Sequence, residues 1–100
     1  MNAKIEEIDG KYVATLEGEM DTAEAVKVEE VLKPLYTSEG KDVIIDCTNL
    51  EYIASSGLRI FVNILKKAQA TGSRVVLRGV NDDIKNVFKL TGLISIFEFD

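Results

Sequence analysis

The chain has 100 residues, 46% hydrophobic and 29% charged, with 12 basic and 17 acidic side chains and a net charge of −5. That length suits one domain, which can be stable without disulfides or a metal, and the composition excludes wholesale disorder. The apolar runs fall far short of the roughly 20 residues of a membrane span. An acidic surface repels phosphate backbones and anionic lipid, so nucleic acid and membranes are disfavoured as partners.

The start, Met1-Asn2-Ala3-Lys4 followed by Glu6 and Glu7, does not have the pattern of a signal peptide, and a cytoplasmic location is expected. Histidine is absent. Ser-His-Asp and Cys-His catalysis therefore have no base, and zinc loses its usual nitrogen ligand. The single cysteine, Cys47, lies beside a β-branched run and reads as a small buried hydrophobe.

In chain order, "AKIEEI" and "YVATLEG" alternate apolar and polar residues as strands do, with "DGK", Asp9 to Lys11, as the hairpin turn between them. Gly18 is expected to end the second strand. Asp21 with Glu24 reads as an N-cap opening a helix over Thr22–Tyr36, with Ala25, Val28, Val31, Leu32 and Leu35 on one face. Pro34 should loosen its last turn. "DVIID", Asp42 to Asp46, is a continuous apolar run, expected as a strand buried on both faces.

A second helix is expected from Ser56 or Gly57 to about Ala70, on the spacing of Leu58, Phe61, Val62, Leu65 and Ala68. "RVVLRGV" reads as a strand. Asn81, Asp82 and Asp83 cap a short helix with Ile84, Val87, Phe88 and Thr91 inward and Gly92 at its end. "ISIFEF" closes the chain as a strand. The class is α/β: a mixed β-sheet with helices packed on it, in the order β-β-α-β-α-β-α-β.

"CTNLEYIASSG" leaves the carboxyl end of the most buried strand, where functional loops of open α/β sheets lie. One hydroxyl of Ser55 and Ser56 can cap the following helix, while a second can be displayed, and a phosphate there would sit near free amides. Gly57 serves either packing or access. Ile60 and Ile64 either widen the core face or form an edge that a partner covers. Asp21 and Asp46 could in principle act as an acid–base pair, but no spacing demands it.

"VIIDCTNLEYIASSGLRIF" resembles the signature of the STAS domain, the module of sulfate transporters and anti-sigma factor antagonists: a buried strand ending in Asp, then Asp-Ser-Ser/Thr-Gly-Leu opening a helix. "LEGEMDTAEA" resembles its second landmark, a Gly-Glu-Leu-Asp turn before the first helix, and "FKLTGLISIFEF" is also similar. The resemblance spans essentially the whole chain as a single STAS domain. It implies an anti-sigma factor antagonist that binds a serine-kinase anti-sigma factor, frees a sigma factor, and is switched off by phosphorylation and restored by a PP2C-type phosphatase. By motif the acceptor is Ser55, with Ala54, Ser56 and Gly57 as its neighbours and Ser56 as the cap. Partner contacts would fall on Asp21, Thr22, Leu58, Arg59, Ile60, Asn63 and Ile64. The resemblance implies no catalysis, cofactor or metal, and a monomer or weak dimer. An alternative is a non-switching STAS subunit of a signalling scaffold or a lipid or anion transporter. Two departures stand out: Ala54 replaces the motif's Asp, and Arg59 replaces a glycine found in many antagonists.

Overall fold

The computed structural model describes residues 1–100. Strands β1 (Asn2–Ile8) and β2 (Lys11–Met20) form an antiparallel hairpin. Its loop is two residues, Asp9 (φ 52°) and Gly10 (φ 76°), the left-handed pair that matches the twist of the flanking strands. Then follow α1 (Thr22–Leu32), β3 (Val43–Ile53), α2 (Ser55–Ala70), β4 (Val75–Arg78), α3 (Asp82–Leu90) and β5 (Glu98–Phe99). This is the predicted element order.

The five strands lie in chain order, β1-β2-β3-β4-β5, and β2 through β5 are mutually parallel. Right-handed crossovers that always step the same way place every helix on one face. Burial agrees: Ala14 and Leu16 of β2, Val43, Ile45 and Cys47 of β3, and Val75 and Leu77 of β4 form the floor of the core. Their alternates Val13, Ile44 and Val76 are only half-buried. The expectation that β3 is buried on both faces is thus corrected. A continuous apolar run records high local hydrophobicity, but which faces are covered depends on the direction of the crossovers.

The helices close the core with Val28 and Leu32 from α1, Phe61, Ile64 and Ala68 from α2, and Ile84 and Phe88 from α3. The Phe88 ring meets Phe97 and Phe99 edge-on, each at 5.5 Å between centroids, tying α3 to the last strand. At such sites truncation to alanine costs roughly 2–5 kcal/mol.

Several boundaries differ from expectation. Gly18 does not end β2. At φ 103° it takes a conformation closed to most side chains, and the ladder to β3 shifts register on either side of it before running on to Met20. Helix α1 stops at Leu32, and Lys33–Thr37 tightens into a 3-10 turn with Pro34 near its start, because proline lacks the donor that an α-helix needs there. Val31 is 40% exposed and Thr91 is exposed, so neither belongs to an inner face. Of "ISIFEF" only Glu98–Phe99 pairs as strand. The Leu93 and Ile94 amides instead bond back to the Phe88 carbonyl, which closes the end of α3.

Candidate functional site

The carboxyl ends of β2 and β3 are paired at Met20 and Ile53, and a helix starts immediately after each. The Ala54 amide donates to the Met20 carbonyl at 2.8 Å, stitching the two turning points together. At the first start Asp21 acts as predicted: its Oδ1 accepts from the Glu24 amide at 2.8 Å. At the second, the N-cap position is Ala54 (φ −80°, ψ 166°), which has no side chain able to cap.

The predicted cap at Ser56 is therefore corrected. The helix opens at Ser55, one or two residues earlier than expected, so both serines lie inside its first turn. The Ala54 carbonyl accepts from the Gly57 and Leu58 amides, while the first-turn amides of Ser55 and Ser56 have no partner within the helix. The Ser56 hydroxyl is buried and makes no hydrogen bond. Ser55 is exposed to solvent.

Gly57 is explained by packing. A Cβ there would lie 2.7 Å from both Ile53 Cγ1 and Met20 Sδ, the two residues that end the paired strands. Without a side chain the helix start can settle directly on the carboxyl ends of β2 and β3.

Between α1 and α2 runs a groove of about 180 Å³ lined by Thr22, Ala25, Val26, Glu29, Ser56, Arg59, Ile60 and Asn63. It gathers Thr22, Arg59 and Asn63 of the expected partner surface, and Asp21 caps one of its walls. Leu58 and Ile64 are corrected: they are 6% and 0% exposed and belong to the core, while Ile60, also mostly buried at 5%, shows only its edge on the groove floor. Helix α2 packs on the sheet below and against α1 and the 3-10 turn at its side, so its apolar arc is wide and takes in Leu58 and Ile64 completely.

Sequence reasoning missed Val26, Glu29 and Tyr36. Val26 is 68% exposed, an apolar residue outside the inner stripe of α1, and that displacement was its only signal. The Tyr36 hydroxyl donates to Glu29 Oε2 at 2.8 Å. Partial burial, and then the Glu29 carboxylate, push its phenol up to about 12. Arg59 is the one cation lining the groove, and it stands four residues after Ser55, on the same side of α2.

The other chemistry candidates are occupied. Asp46 accepts from the Thr48 amide at 3.0 Å, a bond that lowers its carboxyl below the usual range. Cys47 is fully buried, and burial pushes its thiol up to about 12. No group of histidine, cysteine and acidic side chains is arranged to hold a metal ion, and no helix is long and apolar enough to cross a membrane.

A family model described as the STAS domain matches residues 2–100. The chain belongs to the STAS domain family. This STAS domain is 34% identical over 95 residues to the anti-sigma-B factor antagonist of Staphylococcus aureus, an alignment covering 93% of the chain and 88% of that protein. Its fold matches the crystal structure of an anti-sigma factor antagonist from Mycobacterium paratuberculosis with a TM-score of 0.82 at 27% identity, over 98% of this chain and 83% of that one. SpoIIAA of Bacillus in its phosphorylated form shares the fold, with a TM-score of 0.76 at 18% identity, over 99% of this chain and 91% of that one. By sequence this STAS domain belongs to the anti-sigma factor antagonist branch of the family, a class of regulatory modules that act through protein–protein contact.

Proposed function

We propose that this STAS domain is an anti-sigma factor antagonist: it binds a serine-kinase anti-sigma factor, thereby frees a sigma factor, and is released when Ser55 is phosphorylated. A PP2C-type phosphatase resets it. The observation that carries this reading is the setting of Ser55, an exposed hydroxyl on the first turn of α2, beside amides that no side chain caps. A phosphoryl group there adds about −1.5 to −2 charges. The free amides and the positive end of the helix favour it on this molecule. The same charge, set beside a docked partner, opposes binding through desolvation and repulsion. The binding surface proposed is the rim of the α1–α2 groove: the exposed Asp21, Thr22 and Arg59 with half-buried Asn63, and in addition exposed Val26 and half-buried Glu29. The relatives named above support the reading by their own function, and SpoIIAA supports it by existing in a phosphorylated form.

The test is incubation with the cognate anti-sigma kinase and ATP, followed by mapping of the phosphate by mass spectrometry. Phosphate on Ser55 is expected. Ser55→Ala should hold the partner in the presence of ATP, and Ser55→Asp should weaken binding. Phosphate on another residue, or none with a partner shown to bind, would overturn the switch.

A second reading, a non-switching subunit of a scaffold or transporter, is favoured by Ala54 alone, since the motif's acid is missing beside the acceptor. Recovery of a transporter ATPase rather than an anti-sigma kinase in a pull-down would select it.

A further inference from the structure

The two edges of the sheet differ. On one side β5 pairs over only two residues, a short edge of the kind that discourages strand addition. On the other, β1 runs for seven residues, Asn2–Ile8, and its outer side pairs with no strand.

The hairpin fixes what that edge offers. A two-residue loop makes the flanking pair, Ile8 and Lys11, a hydrogen-bonded one. Alternation then turns the amide and carbonyl groups of Ala3, Ile5 and Glu7 outward. These are free donors and acceptors on an extended strand, which a further strand could satisfy.

Side chains select the partner. Lys4 and Glu6 flank Ile5, lie on the sheet face that carries no helix, and are 60% and 51% exposed. Lay a second β1 antiparallel to the first, centred on Ile5, and Lys4 of each copy faces Glu6 of the other. Glu7 then faces Ala3, and Asn2 faces Ile8, so no like charges stand directly opposite one another. Recentring on Lys4 or on Glu6 sets identical charges face to face, which is unfavourable for directly opposed residues. On the helix-covered side, Ile5 meets its own counterpart. Ala3 and Ile5 are already partly buried against the core there, and Val31 of α1 stands 40% exposed above that edge.

We infer that two copies of this chain associate through β1, antiparallel and centred on Ile5, to give one continuous sheet across a two-fold axis. The contact is isologous and self-closing, because it uses the one long free edge of each copy. It does not involve Ser55 or the α1–α2 groove, so it stands whether or not the proposed switch is correct.

The experiment is sedimentation equilibrium on the full chain from micromolar to millimolar concentration. The wild type is expected to move from monomer to dimer. Lys4→Glu and Glu6→Lys should each weaken the dimer by about 10- to 30-fold, since each turns two symmetry-related pairs repulsive. The double reversal, Lys4→Glu with Glu6→Lys, restores opposite charges and should recover dimerisation. Both side chains are exposed, and far-ultraviolet circular dichroism checks that the fold is retained. A monomer at every concentration, a dimer indifferent to the single reversals, or a double variant no better than the singles overturns the inference.

Discussion

Helices α1 and α2 begin side by side, after residues paired in the same ladder, yet their starts are built differently. Asp21 closes α1 with a carboxylate on the Glu24 amide. Ala54 offers α2 nothing of the kind, and its first turn is held instead by the fit of Gly57 against Met20 and Ile53 and by the backbone bond to Met20. The first start has used its positive end locally. The second keeps that end open to solvent, with an exposed serine on it. The carboxyl end of the sheet thus carries a finished helix terminus and an unfinished one, and the unfinished one is where an added anion gains most.

The contrast can be broken most strongly at Gly57. Gly57→Ala forces a methyl group into contacts of 2.7 Å. It should cost about 1–3 kcal/mol in urea denaturation; an unchanged midpoint would mean that packing does not hold this start. Removing the other device should matter less. Asp21→Ala is expected to lose about 1 kcal/mol by the same measurement.

Converting the second start into the first should have the opposite sign. Ala54→Asp supplies the missing cap and should gain up to about 1 kcal/mol. It also puts a carboxylate beside Ser55, so thermal melts of phosphorylated protein should show a smaller gain from the phosphate in this variant than in the wild type. Equal gains would show that the open amides do not receive it.

The smallest effect concerns the wall that α1 lends to the groove. Tyr36 should ionise with its midpoint pushed up to about 12, by partial burial and then by Glu29. Because its folded-state value is raised, the stability linked to it is full below pH 10 and is lost as pH rises through that midpoint. Ultraviolet titration of the phenolate follows it, and Glu29→Gln should bring the midpoint down.

What the sequence made legible was local. Asp21 and Glu24 stand three apart, and a capping bond needs nothing else. The Asp9-Gly10 turn likewise required only its own two residues. The fold class followed from the order of elements, and the acceptor motif from resemblance.

What was hidden depended on neighbours distant in the chain. The assignment of the cap to Ser56 failed because the cap position lies two residues earlier, at Ala54, which places both serines within the first turn where Gly57 meets Met20 and Ile53. Ile60 and Ile64 could not be assigned until α1 was seen packed beside α2, which buries Ile64 and leaves Ile60 at the floor of the groove. Val31 fits the helical stripe by spacing but sits near the sheet edge, where the core has run out. The half-wet face of β3 was invisible because Ile44 is as apolar as Ile45.

The hairpin described above also bears on how the molecule is assembled in time. Strands β1 and β2 are joined by a two-residue loop and can meet within about 1–10 μs, as isolated hairpins do. Strand β2 must then wait for Val43 to reach Tyr12 across the whole of α1, and each later strand faces a similar search. The free outer edge of β1 thus belongs to the pairing with the shortest loop to close, while every later strand joins the sheet across a crossover.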